Sequence, residues 1–261
     1  MIKFLRIFRQ KLIDESKVRR YFFYAFGEIL LVMVGIILAI QFDNWNSRRL
    51  EIKKEIWYLN NIADDMFYQE EELKYIKTFY EKSIKDGLYI LSETAKTNDF
   101  SKIDSLDAKI NSLLISTTIP NINNTYQEMI SSGKQSLIEN KSLSSNIIDF
   151  YLLTQETESS VQSNINNVYY QDIFPVLLKY SQVSLNDMEL PDDHEILLYP
   201  DKELSTYIFN ELKKPKNKLA LLNAIKNKVL IMEDHLSRVI LVLEETDKMV
   251  SEIEAEIEKL K

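Results

Sequence analysis

Residues 21–42 read YFFYAFGEILLVMVGIILAIQF, with Arg20 before them and Asp43 after. As a helix rising roughly 1.5 Å per residue, this run extends about 33 Å, enough to cross a hydrocarbon core of roughly 30 Å. Tyr21 and Tyr24 stand at one end and Trp45 just past the other, where amphipathic aromatic rings settle at the headgroup level. The competing readings are a buried core helix and a cleaved leader. Soluble helices of this length carry a polar face, whereas Glu28 is the single ionisable residue here. A leader has a shorter apolar run of roughly 7–15 residues followed by an A-x-A-like site, and no such site follows. The stretch predicts a retained transmembrane helix.

Charge on either side gives the orientation. Residues 1–20 carry seven basic side chains, Lys3, Arg6, Arg9, Lys11, Lys17, Arg19 and Arg20, against Asp14 and Glu15, a net +5. Residues 43–261 carry 25 basic and 37 acidic residues, a net −12. Four of those basic residues, Arg48, Arg49, Lys53 and Lys54, lie close behind the span. The heavier basic load before the span predicts a cytoplasmic N-terminus and a body outside the inner membrane, in the periplasm of a cell that has one. A basic head and an acidic body separated by an apolar run also argue against nucleic-acid binding, which spreads basic residues over a folded surface.

The head offers a second membrane contact. At roughly 100° per residue, Met1, Phe4, Leu5, Phe8 and Leu12 share an arc from which Lys3, Arg6 and Arg9 point away, the pattern of a helix lying in an anionic headgroup layer. A disordered basic tail is the alternative. Lys3, Arg6, Arg9, Lys11, Arg19, Arg20, Tyr21, Tyr24 and Trp45 are the expected membrane-interface residues, and Ser16 is a candidate N-cap for the span. Within the span an ionised Glu28 costs roughly 2.5–3.5 kcal/mol or more, so it faces protein or water, or is protonated. Gly35 and Ala39 follow on nearly the same helical face, and small residues let backbones approach. Glu28, Gly35 and Ala39 are therefore the expected face for a second copy or another membrane protein. The alternative is a protonated or interface-tilted Glu28 without a partner.

Beyond the span the pattern is helical throughout. Ile52, Ile56, Leu59, Ala63 and Met66, then Leu73, Ile76, Tyr80, Ile84, Leu88 and Leu91, predict one helix from Ser47 to about Glu93, continuous with the span or nearly so, with a shift of partner or a bend near Glu70. A weaker helix is predicted over 101–116, a loop over 117–125, and a short helix over 126–132 with Gly133 as its left-handed C′ residue. Leu143, Ile147, Phe150, Thr154, Thr157, Val161, Ile165 and Val168 predict another long helix, kinked or stopped near Pro175. An irregular acidic stretch from Ser181 to Pro200 precedes a helix capped by Asp201 and ended by Pro215. The last helix has the cleanest repeat: Leu222, Ile225, Val229, Met232, Leu236, Val239, Leu243, Thr246, Val250, Ile253, Ile257 and Leu260 alternate spacings of three and four. That is a coiled-coil-like seam, packed inside an antiparallel bundle or between chains.

With four glycines, five prolines and no cysteine in 261 residues, the sequence excludes turn-rich β domains, disulfide scaffolds, thiolate metal sites and cysteine nucleophiles. Ser132-Gly133-Lys134 lacks the earlier glycine of a phosphate loop. Asp192-Asp193-His194-Glu195 has metal-binding residue types but no second histidine at ligand spacing, and His235 is outside any two-histidine zinc pattern. Tyr169, Tyr170 and Phe174, near the expected kink, are candidates to line a small pocket. No catalytic, metal or cofactor residue is assigned. The expected architecture is all-α: a basic segment over 1–20, a transmembrane helix over 21–42 and an elongated extracytoplasmic helical bundle over 43–261.

Two further patterns carry a resemblance. Ile2-Lys3-Phe4, Arg9-Gln10-Lys11-Leu12, Tyr24-Ala25-Phe26-Gly27-Glu28-Ile29, Val34-Gly35-Ile36, and Leu38-Ala39-Ile40-Gln41 through Asn44-Trp45-Asn46 form the first. Tyr126, Ser132-Gly133, Leu137-Ile138, Asn140 and Leu143 form the second. Together they resemble an uncharacterised family of Bacteroidota single-span membrane proteins known only as a domain of unknown function. The resemblance implies a Gram-negative inner-membrane setting with a periplasmic body and supplies no catalytic residue. The expected function is a non-enzymatic structural or interaction module for an envelope or membrane partner. The alternative is a ligand-binding sensor that signals through a partner's transmembrane helix.

Overall fold

The computed structural model describes residues 15–183 and 201–261, with side chains from Tyr21 onward. Every regular element among these residues is helical. Helix α1 spans Glu15–Thr97, 83 residues without a proline. The expected continuity of span and following helix is therefore met, and Ser16 lies inside the helix rather than capping it. The chain divides into two compact units, Met1–Trp57 and Tyr58–Lys261. In the first unit the side chains from Tyr21 to Glu51 are exposed, apart from a partly covered Ala25.

The second unit contains the rest of α1 and all later elements. A 3₁₀ turn at Phe100–Lys102 leads to α2, Leu106–Leu114, and α3, Asn124–Ser131. A second 3₁₀ turn, Gln135–Leu137, precedes α4, Lys141–Asn164, which passes through a π-helical stretch, Ile165–Ile173, into α5, Phe174–Lys179. Helices α6, Lys202–Leu212, and α7, Pro215–Leu260, complete the chain. Helix α7 packs against α4, the π stretch, α5 and α6. Leu73, Ile76, Tyr80 and Ile84 of α1, Ile110 and Leu113 of α2, and Ile225, Met232 and Val239 of α7 belong to one continuous core.

The ends of these elements follow capping chemistry. Asn140 accepts from the Leu143 amide at the start of α4, and Asp201 accepts from the amides of Glu203 and Leu204 at the start of α6. Gly133 adopts φ +67°, and the amides of Gly133 and Lys134 bond back to the carbonyls of Ile130 and Met129, a complete Schellman closure of α3. The irregularity expected near Pro175, a kink or a stop, is a change of register: the helix widens to the π register over the preceding residues, and the Phe174 amide reaches the carbonyl of Tyr169. Because a π turn bonds five residues apart, the carbonyl four before Pro175 is relieved of the N–H that proline lacks. Pro215 begins α7 rather than ending α6, since a first-turn proline loses nothing there.

Two expected faces are wider or rotated. The α7 seam is buried within the chain at Ile225, Val229, Met232, Val239, Thr246, Ile253 and Ile257, but a second row, Leu221, Lys228, His235, Val242, Met249 and Glu256, is buried beside it. A helix packed against several neighbours buries this broader face, whereas a two-stranded coiled coil buries a narrow one. In α1 the predicted Leu88 is exposed, while Ser83, Gly87, Ile90 and Thr94 are buried. The reason is Gly87: a Cβ there would lie 2.5 Å from Val229 Cγ2, so the missing side chain sets the closest approach of α1 to α7.

Candidate functional site

The residues expected to meet the membrane or a partner divide by where they lie. Glu28, Gly35 and Ala39 are all exposed on α1, and a Cβ on Gly35 would meet nothing within 4 Å. Tyr21, Tyr24, Ala25 and Glu28 line one shallow concavity, so the carboxylate and two phenols share a face that Gly35 and Ala39 continue at helical spacing. Trp45 is 57 % exposed, with the Phe42 ring 5.7 Å away and the Arg49 guanidinium 5.9 Å from its own ring. Arg19 and Arg20 belong to the helical backbone of α1. Lys3, Arg6, Arg9 and Lys11 lie outside the described residues, as does the Asp192–Glu195 cluster.

A buried polar centre lies at the end of α2, and only part of it was foreseeable. A helix C-terminus leaves carbonyls without partners and carries partial negative charge. Here side chains from three other elements supply the donors. The Ser83 hydroxyl donates to the Ser112 carbonyl at 3.1 Å, and the Tyr169 hydroxyl donates to those of Leu113 and Leu114 at 3.2 and 2.6 Å. The Lys228 ammonium donates to the Ile115 carbonyl at 3.1 Å, and the Tyr80 hydroxyl donates to Thr117 at 3.0 Å. Lys228 is only 2 % exposed and its Nζ sits 3.6 Å from the Tyr169 ring centroid, where the face of the ring attracts a cation. Burial pulls Lys228 down to about 7. One heptad along α7, His235 is equally buried, with its Nε2 3.3 Å from Asn164 Nδ2 and its ring 5.7 Å from that of Tyr80. Burial pulls His235 down to about 4, with nearby Asp234 opposing and Lys228 and Arg238 adding to the shift, so the imidazole is neutral near pH 7.

The expected aromatic group does assemble. Tyr169 lies 4.9 Å from Tyr170 and 5.9 Å from Phe174, and Tyr170 lies 5.7 Å from Phe174. Of the three, Tyr169 is fully buried with its ring face on Lys228 Nζ, whereas Phe174 lines an open cleft of about 900 Å³ together with Phe79 of α1 and Asn111 and Leu114 of α2. The chemistry of this centre is structural: its donors satisfy the end of α2 and hold the π stretch against α7. The residues sequence reasoning missed are Ser83, Lys228 and the partner roles of Tyr80 and Tyr169. The signal for Lys228 was its place in the row of six residues spaced seven apart from Leu221 to Glu256, whose polar members break its apolar periodicity. No group of three or more His, Asp or Glu side chains able to hold a metal occurs among the described residues.

Among the described residues this is an all-helical protein, one of whose helices is long and apolar enough to cross a membrane. Residues 28–170 match a family of unknown function (DUF6090), and since they make up more than half of the chain, the chain belongs to that family. Comparison with curated proteins and with solved structures gives no match.

Proposed function

We propose that the chain is a single-pass inner-membrane protein of a Gram-negative, Bacteroidota-type envelope, with a cytoplasmic N-terminus and a periplasmic helical body. In this reading it is a non-catalytic structural or interaction module for a membrane or envelope partner. One observation carries the proposal: the most apolar 18-residue window of α1 has mean hydropathy 2.4, and none of it is buried. Leucine, isoleucine and phenylalanine on all sides of a helix must be covered by something, and lipid covers the whole circumference at once. The Glu28, Gly35 and Ala39 face is where a second copy or another spanning helix displaces that lipid.

The chain contains no cysteine, which makes the test clean. Single cysteines are placed at each position from 25 to 42 and oxidised in intact membranes. Crosslinking should recur with the helical repeat and peak at 28, 35 and 39, and the protein should resist carbonate extraction. A reporter at Lys261 should be active only when exported. Extraction into the soluble fraction, or a reporter active only in the cytoplasm, would defeat the anchor. Crosslinking without periodicity would defeat the packing face.

A further inference from the structure

The body has a cleft of about 620 Å³ where the end of α1, the first 3₁₀ turn, the end of α6 and the start of α7 meet. That volume lies within the roughly 300–1,000 Å³ typical of small-molecule sites. Phe100 and Leu212 form a buried floor, Phe209 and Leu222 are partly covered, and Leu219, 60 % exposed, forms an apolar lip.

Two lysines line the cleft above that floor. Lys213 Nζ donates to Asn210 Oδ1 at 3.1 Å, and Lys218 Nζ donates to the Asn98 carbonyl at 3.3 Å and to the Asn98 side-chain oxygen. Both are steered by neutral amide oxygens, and the Asp99 carboxylate acts on Lys213 only at longer range. Their neighbours differ: Lys214 is paired with Glu211 at 2.5 Å and Lys96 with Glu93 at 2.7 Å. Asp99 also lines the cleft; its carboxylate accepts from the amide and hydroxyl of Ser101 at 3.0 and 2.8 Å and, kept ionised by them, offsets part of the lysine charge. Residues 213–218 hold four lysines in a body that carries −12 overall, so this end stands out as locally cationic. Cationic side chains over a recessed apolar floor match one molecule with a charged head and an apolar body. A flat bilayer surface would not reach the floor.

We propose that this cleft binds a monomeric anionic amphiphile, a phosphate or carboxylate on a compact apolar body, with Lys213 and Lys218 at the head and Phe100, Phe209 and Leu222 beneath the body. The proposal is independent of the membrane anchor and of any partner of the spanning helix.

The test is calorimetric titration of the full chain, held in zwitterionic nanodiscs, with 1-naphthyl phosphate, subtracting empty nanodiscs. Saturable binding in the roughly 10–100 µM range is expected, weakening as ionic strength rises. Inorganic phosphate, which has the head without the body, and naphthalenemethanol, which has the body without the head, should each bind at least about tenfold more weakly. The Lys213→Gln/Lys218→Gln double variant should lose about tenfold or more. Because Lys218 also holds Asn98, Lys213→Gln alone, whose bond is to Asn210, is the second variant and should weaken binding severalfold with unchanged circular dichroism. Absence of binding above empty nanodiscs, wild-type affinity in both variants, or phosphate binding as tightly as naphthyl phosphate would each overturn the proposal.

Discussion

Helix α1 contains two regions that backbone geometry does not distinguish. From Tyr21 to Glu51 its leucines, isoleucines, valines and phenylalanines face outward on every side, and Gly27 and Gly35 have nothing within 4 Å of a would-be Cβ. From Tyr58 to Thr97 a stripe through Leu59, Ile62, Met66, Leu73, Ile76 and Tyr80 is buried, and the outer face carries exposed pairs such as Lys74 with Glu71 and Lys77 with Glu81. Helix propensity is adequate in both. What differs is the distribution of hydropathy around the axis, and that decides whether the surroundings are expected to be lipid or protein.

The largest expected effect separates the regions by pH. Buried titratable groups sit against the second region, where Tyr80 meets His235. The His235 value of about 4 in the fold, against 6.5 in the open chain, means the unfolded state binds the extra proton between those values. Stability is therefore fully present above pH 6.5 and falls as pH drops toward 4, by about 3 kcal/mol at roughly 1.36 kcal/mol per pH unit. His235→Leu should flatten that limb in urea titrations at pH 6.5, 5 and 4, conditions chosen to bracket the two values. Lys228 works over a higher window: lowered from 10.5 to about 7, it makes stability rise with pH between those values, and Lys228→Met should remove that rise. Unchanged slopes in both variants would show that the centre is open to water.

These groups also mark the limit of what the sequence made legible. The apolar run of α1, the Gly133 cap, the Asp201 cap and the α7 seam are patterns in residue type and spacing, and each was foreseeable because local chemistry decides it. The Lys228 centre depends on bringing the end of α2 next to α4's π extension, α1 and α7, and no local pattern encodes that meeting. A lysine in a buried heptad row looks like a solvated surface residue until the orphan carbonyl of Ile115 is placed against it. The cleft beside Lys213 and Lys218 was hidden for the same reason, because Asn98 and Lys218 are 120 residues apart.

Glycine gives the next comparison. Gly87→Ala adds a methyl that meets Val229, and overpacking of this kind costs about 1–3 kcal/mol, set against a helix-propensity gain of about 1 kcal/mol. A net loss of up to about 2 kcal/mol is expected, and Val229→Ala in the same chain should recover part of it. Gly35→Ala should leave thermal unfolding of the body unchanged, since nothing in the chain occupies that space. A change in crosslinking yield with no change in melting would place the contact of Gly35 on another molecule. Equal destabilisation by both substitutions would erase the distinction between the two regions of the helix.

The smallest effect concerns carboxylates. Helix α3 begins after Asn123, whose side chain makes no capping bond, and the missing cap comes from α1: Asp65 Oδ2 accepts from the Thr125 amide at 2.8 Å. One turn along α1, Gln69 Oε1 accepts from the Ile122 amide at 2.9 Å, so two successive inward polar residues hold the entry to α3. Removing a capping acceptor costs about 1 kcal/mol. Asp65→Ala should lower stability by that amount and speed hydrogen exchange at the Thr125 amide, while Asp65→Asn, which keeps an oxygen acceptor, should restore most of the protection. Unaltered Thr125 exchange in the alanine variant would mean that the amide finds another acceptor. Asp43, near the end of the apolar run, is the matched control on the same helix, and its alanine variant should leave Thr125 exchange untouched, because only a carboxylate brought to α3 by the fold acts as its cap.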